Sequence, residues 1–158
     1  MPAEYEGNNE TDNDQIIEDI REMGKYLSLF YRKLMLIIGN DLKAINMTTL
    51  QSIVLINIKR HEGVNQNELA SVVGIDKASV SRVIRDLENR NLLFKEIDQS
   101  DRRHFRLFLT DKGKEEVEKS VEIQMRIWLD CMKEINSEEL NISKEMMIKL
   151  YSNINEIR

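Results

Sequence analysis

Five residues within a short predicted helix have the chemistry to bind nucleic acid: Lys77, Ser79, Ser81, Arg82 and Arg85. An arginine can donate two hydrogen bonds to a guanine edge, and lysine and serine can bond phosphates or base edges. At about 100° per residue, four apolar residues gather on another side of this helix: Val80, Val83, Ile84 and Leu87. Burial of that side would turn the polar residues outward. We assign Arg82 and Ser79 to base edges, and the other three to a mixture of phosphate and base.

A second basic cluster lies in a polar loop between two segments rich in strand formers, 92–97 and 105–110. The loop contains the consecutive arginines Arg102 and Arg103, which in a β-hairpin can contact phosphates or enter the minor groove. Asp101 would repel phosphate, so we expect it to hold a wing arginine by a charge-assisted pair. For Arg106, on the returning strand, phosphate contact and solvent exposure both remain open.

The residues before this hairpin are typical of a helix-turn-helix. Ala70 is small where two helices would cross, Gly74 suits a left-handed helix end, and Asp76 is a good N-cap. An apolar seam between the two helices is supplied by Leu69, Val73, Ile75, Val80, Val83 and Ile84. Arginines on an isolated helix are usually just solvated, and a helix-turn-helix can also be plain structure. The combination of turn, polar helix face and basic hairpin is what favours DNA binding.

The elements around this segment are predicted to be helical. Apolar residues recur every three or four positions from about Asp14, and Thr48-x-x-Gln51 and Asn65-x-x-Glu68 are capping-box starts. Thr110 and Asp111 are expected to cap a helix with an apolar stripe, and a last helix follows. The stripe of the first of these two helices is Val117, Val121, Met125, Trp128, Met132 and Ile135. The fold class is therefore mainly α with a small β-wing.

The segment from Thr48 to Gly113 resembles the winged-helix core of the MarR family of bacterial transcription regulators. The family's wing signature is Asp-x-Arg, five residues, then Leu-Thr, and it is matched by Asp101, Arg103, Leu109 and Thr110. The resemblance extends over about residues 14 to 158. It implies a homodimer that binds palindromic double-stranded operator DNA, usually as a repressor. It also implies that a small-molecule effector or an oxidant usually releases the protein from DNA. It also implies that Arg103 reaches the minor groove.

This resemblance suggests four regions along the chain. We expect a disordered acidic tail at 1–13 and the N-terminal helix of a dimerisation lobe at 14–46. The winged helix-turn-helix DNA-binding domain is expected at 47–111, and the C-terminal helices of the dimerisation lobe at 112–158. The winged-helix core would thus lie between long N- and C-terminal dimerisation helices.

The net charge of −5 is unexpected for a DNA-binding protein, but its distribution explains part of it. Residues 1–22 contain eight acidic residues and one arginine, a sum of −7, so the rest of the chain carries +2. Residues 77–106 contain eight basic and five acidic residues, a local sum of +3. Local charge at the contact face matters more for DNA affinity than the total. The patch is modest, so binding should weaken steeply with salt.

Other features of the sequence indicate a cytoplasmic protein without a membrane segment. One cysteine, Cys131, fits a reducing compartment, the acidic N-terminus opposes a signal peptide, and the most apolar run, 34–39, is too short to span a membrane. No nucleophile motif or phosphate loop is visible, so we expect no enzyme activity and no cofactor. With only His61 and His104 as histidines, no metal site is expected.

The effector is not indicated by the sequence, and the ligand-binding residues stay unknown. Methionines could line an adaptable pocket or simply fill the core, and Tyr26, Phe30, Tyr31 and Trp128 are the aromatic residues best placed by chain order. Cys131 is more simply structural than redox-active, because reactivity needs a lowered pKa and access. The alternatives to a ligand-responsive repressor are a protein–protein adaptor on a winged-helix scaffold and a redox- or metal-sensing regulator of the same fold.

Overall fold

The computed structural model describes residues 10–99, 101–102 and 104–157. This part of the chain forms six α-helices and a two-stranded antiparallel sheet, which confirms the predicted mainly α class with a small wing. The elements are α1 (Glu10–Leu42), α2 (Thr49–Arg60), α3 (Gln66–Val73), α4 (Lys77–Asn89), β1 (Leu93–Ile97), β2 (Phe105–Leu109), α5 (Asp111–Cys131) and α6 (Ser137–Glu156). A 3₁₀ turn at Lys43–Ile45 follows α1.

The helix starts are set by local capping bonds. Thr48 and Asn65 each form the predicted capping box, with Gln51 and Glu68 respectively, and a third box opens α6 at Asn136. Each box satisfies backbone N–H groups that the first helical turn leaves without partners. Because these bonds span only three residues, sequence spacing was sufficient to predict the first two.

Helix α1 begins at Glu10, one turn before the predicted start at Asp14. The predicted disordered tail at 1–13 therefore needs correction for residues 10–13, which are helical, while residues 1–9 lie outside the described part. An acidic composition does not by itself prevent a helix, since acidic residues are tolerated well in a first helical turn.

The helix-turn-helix has the predicted turn. Gly74 adopts the left-handed conformation with φ +69°, and its N–H bonds to the carbonyl of Ala70 at 3.0 Å. Ala70 is buried between neighbouring helices, as its size predicted. The core of this region consists of Val54, Leu55, Ile58, Leu69, Val80, Ile84, Leu87, Leu92, Leu93, Leu107, Leu109 and Val117.

The predicted stripe of α5 is only partly correct. Val117 is fully buried, but Met125 and Trp128 are exposed, and Ser120 is fully buried instead. The hydroxyl of Ser120 hydrogen-bonds the equally buried hydroxyl of Ser52 on α2, which satisfies both polar groups away from water. A polarity pattern could not reveal this position, because the serine is accommodated by a partner far along the chain.

The chain divides into two compact units within α5, one ending at Ile123 and one beginning at Gln124. The first contains α1 to α4 and the sheet. The second contains the end of α5 and all of α6, and no residue of α6 is buried. The predicted assignment of α1 and the C-terminal helices to one dimerisation lobe concerns a second subunit and stays a prediction.

Candidate nucleic-acid interface

Helix α4 is held by its apolar side, which leaves the predicted DNA-binding residues toward solvent. Val80, Ile84 and Leu87 are fully buried. Of the five candidates, three are exposed and two are half-buried; the exposed ones are Lys77, Arg82 and Arg85, and the half-buried ones Ser79 and Ser81. The helix therefore presents a row of basic side chains that an incoming duplex can reach.

The start of α4 carries a chain of three polar residues. The Asp76 carboxylate accepts a hydrogen bond from the Ser79 backbone N–H at 2.9 Å, and Arg82 Nη2 donates to the Ser79 hydroxyl oxygen at 3.0 Å. Hydrogen bonds from the Ser79 side chain, and then from its backbone, lower the pKa of the Asp76 carboxyl. An anion thus already caps this end of the helix, so the N-terminus of α4 is not free to bind a phosphate.

The wing is a hairpin in which Ile97 pairs with Phe105 at one end and Leu93 with Leu109 at the other. Leu107 and Leu109, which share one face of β2, are buried. Phe105, the third residue of that face, is half exposed, because it lies at the far end of the hairpin where the core no longer reaches. The wing end therefore carries an exposed aromatic residue in addition to its charges.

Residues of the wing loop are joined by short-range bonds. The backbone N–H of Asp98 donates to the His104 carbonyl at 3.0 Å, and the His104 ring contacts the Asp101 carboxylate at 3.1 Å. Arg102 is exposed, whereas Arg103, the arginine of the predicted signature, lies outside the described residues. The expected pair between Asp101 and a wing arginine remains a prediction.

Arg106 has the solvent exposure that the sequence left open, with a side chain that is 48% exposed, but it also has partners within the protein. Its Nη2 pairs with the Asp98 carboxylate at 2.9 Å, and its Nη1 donates to the Gly63 carbonyl at 3.1 Å. The guanidinium is thus engaged by the protein itself. Sequence reasoning missed these partners because Gly63 is 43 residues away along the chain and contributes only its backbone.

The structure does not group the remaining candidate residues into a redox, ligand or metal site. Cys131 is exposed at the end of α5, and the aromatic candidates Tyr26, Phe30, Tyr31 and Trp128 are exposed as well. Within the described ranges, no group of three His, Cys or carboxylate residues is arranged to hold a metal ion. None of the helices described is both long and apolar enough to cross a membrane.

Comparison with known proteins connects this geometry to a family. Residues 45–104, which include the helix-turn-helix and most of the wing, match the model of the MarR family. The winged-helix segment therefore has the sequence pattern of the MarR family. The match confirms the resemblance to the MarR family that was inferred from the wing signature. MarR-family relatives are transcription regulators and not enzymes, in agreement with the prediction of no enzyme activity.

Three similar proteins illustrate how far the likeness extends. The HTH-type transcriptional regulator YdgJ of Bacillus subtilis is 25% identical over 122 residues, which cover 77% of this chain and 74% of that protein. A MarR transcriptional regulator from Methanosarcina mazei superposes with a TM-score of 0.77 at 25% identity, covering 87% of this chain and 99% of that one. BpsR of Bordetella bronchiseptica, also 25% identical, has a TM-score of 0.73 and covers 82% and 98%. The chain is accordingly similar to MarR-type transcription regulators over most of its length, and its residues 45–104 match the family itself.

Proposed function

We propose that this MarR-family regulator is a homodimeric repressor that binds a palindromic operator. The observation that carries the proposal is the exposed basic side of α4, with Lys77, Arg82 and Arg85, in a chain whose wing exposes Arg102. In this mode α4 enters a major groove and the wing contacts phosphates or the adjacent minor groove. Two protomers would place their α4 helices in successive major grooves, about 34–36 Å apart.

Exposed apolar side chains support the homodimer. Helices α1 and α6 each expose many large apolar residues to solvent in the isolated chain; those of α6 include Leu140, Ile142, Ile148, Leu150, Tyr151 and Ile154. Monomeric proteins rarely leave extended apolar surface uncovered, so a second copy of the chain is the expected cover.

A small-molecule effector is the proposed signal for release from DNA. BpsR, one of the similar structures, is described through the regulation of its DNA binding by 6-hydroxynicotinic acid. By analogy, an effector would bind better to a form in which the spacing or mobility of the two α4 helices no longer fits the operator.

The proposal is tested by selecting duplexes from a randomised pool with the purified protein and measuring their affinity by fluorescence anisotropy. We expect an inverted repeat to be enriched and to bind much more tightly than a shuffled duplex at near-physiological salt. Equal and salt-sensitive binding to both duplexes would contradict sequence-specific regulation. Failure to bind any duplex at low salt would favour the protein–protein adaptor.

A further inference from the structure

We propose that Arg106 positions the wing by bridging it to the turn between α2 and α3, and that it does not itself contact DNA. This inference rests on the proposed DNA-binding function, because it says how the wing of that binding surface is held. It is carried by one guanidinium that joins two separate parts of the fold, the Asp98 carboxylate at 2.9 Å and the Gly63 carbonyl at 3.1 Å.

The carboxylate in this bridge is unusual for its burial. Asp98, which directly follows β1, is only 7% exposed, whereas most aspartates of a soluble protein are largely solvated. A buried carboxylate needs a cation and hydrogen bonds, and Arg106 on the opposite strand supplies both. Removing either partner would break this largely desolvated ion pair.

The backbone of the α2–α3 turn is bonded to the same part of the wing. The N–H of Gly63 donates to the Leu107 carbonyl at 3.1 Å, and the N–H of Leu107 donates to the Val64 carbonyl at 3.0 Å. Gly63 has φ +78°, and a Cβ there would lie 3.4 Å from the Phe108 ring and 3.8 Å from Cδ of Arg106. The turn, Arg106 and Phe108 are therefore closely packed.

This geometry requires the forked guanidinium of arginine. A lysine at position 106 keeps the positive charge but has one compact ammonium group. It cannot reproduce the fixed geometry in which one guanidinium nitrogen contacts Asp98 and another contacts the Gly63 carbonyl. A phosphate contact, by contrast, depends mainly on charge and tolerates lysine. The two roles therefore predict opposite results for Arg106→Lys.

A substitution of Asp98 also distinguishes a positioning role of the bridge from a purely electrostatic role of the wing. If the wing only contributes charge, Asp98→Asn removes a negative charge near DNA and should leave affinity unchanged or raise it. If the bridge positions the wing, the same variant should weaken binding, because the uncharged amide cannot form the ion pair that holds Arg106. A loss of affinity on removal of a negative charge is not expected from simple electrostatics.

The experiment measures affinity for the duplex selected by the wild-type protein as a function of salt. We expect Asp98→Asn and Arg106→Lys each to weaken binding about tenfold and to reduce the slope of log K against log salt by about one, as wing contacts are lost. The double variant should be little weaker than either single one, since both break the same bridge. Arg102→Ala removes a wing charge without touching the bridge, so in this assay it gives the size of the effect of one lost wing contact. Wild-type affinity and slope in either single variant would overturn the proposal.

A second measurement needs no DNA and separates this proposal from the proposed function. Amide hydrogen exchange should become faster at Gly63 and Leu107 in both bridge variants and stay unchanged in Arg102→Ala. If the wild-type protein selects no duplex, the proposed function fails and the exchange result alone decides whether the bridge holds the wing. Unchanged exchange at these two amides would overturn the proposal in either case.

Discussion

Arg82 is the single side chain on which we expect sequence recognition to depend most. It is exposed on α4, and its bond to Ser79 directs it along the helix start that would face a base edge. Replacing it by alanine should weaken operator binding by roughly 10- to 100-fold, since a good arginine–guanine pair contributes about 1–3 kcal/mol of discrimination. Anisotropy titrations with the selected and the shuffled duplex would measure this.

The control for that prediction is Arg32→Ala, which removes the same charge from an exposed position on α1. It should leave the difference between the two duplexes intact. If Arg82→Ala lowers affinity for both duplexes equally, Arg82 binds phosphate and the assignment to a base edge is wrong.

The combined Arg82→Ala and Arg103→Ala variant should lose specific binding altogether while remaining a dimer.

The ionisation of Asp76 should make the stability of the folded protein depend on pH. Hydrogen bonds from Ser79 lower its pKa in the folded state, so ionisation of Asp76 favours folding. This contribution is fully present above the unfolded pKa of about 3.9 and is lost as pH falls through the lower folded value. Asparagine also caps helices but does not titrate. The melting temperature of the wild type should therefore fall relative to that of Asp76→Asn between about pH 5 and pH 3. A constant difference would contradict the role of the charge.

At the scale of elements, residues 110–113 fix the connection between α4 and β1. Thr110 Oγ1 donates to the Asn91 carbonyl at 2.8 Å, and Lys112 Nζ donates to the Arg90 carbonyl at 3.0 Å. A Cβ on Gly113 would lie 1.9 Å from the Leu92 carbonyl oxygen, so only glycine fits there. The residues that end the wing signature thus hold the end of α4 in place as well as starting α5.

Gly113→Ala should destabilise the protein by about 1–3 kcal/mol, because backbone must shift to admit the methyl group. Urea unfolding at fixed protein concentration would measure the loss. Gly24→Ala in α1 is the matched control, because its Cβ meets no atom of its own chain within 4 Å. It should raise stability by about 0.5–1 kcal/mol through helix propensity. Equal effects of the two substitutions would show that the contact with Leu92 is unimportant.

At the scale of the whole molecule, the exposed apolar residues of α6 predict dimerisation. Ile154 is 63% exposed in the isolated chain. Ile154→Lys should shift the protein toward monomer in sedimentation velocity experiments and weaken operator binding, since a charge would be buried in the interface without a partner. Ser152→Lys introduces the same residue at another exposed position of α6 and should remain dimeric. A dimeric Ile154→Lys variant would remove α6 from the proposed interface at this position.

Much of the fold followed from local patterns in the sequence. The capping boxes at Thr48 and Asn65, the cap at Asp76 and the turn at Gly74 depend on residues within about one helical turn of each other, so spacing alone predicts them. The outward direction of Arg82 and Arg85 followed in the same way, because burial of one helix side determines what the other side presents.

Tertiary structure decided the features that depend on partners distant along the chain. The pairing of Arg106 with Asp98 and Gly63, the burial of Ser120 against Ser52 and the close approach of Gly113 to Leu92 each join segments that no local spacing connects. Residue type alone left Arg106 open between phosphate contact and solvent exposure, and the predicted stripe of α5 did not include Ser120. Folding gave each of these side chains its partner, and a polar group's role is set by the partner that satisfies it once water is excluded.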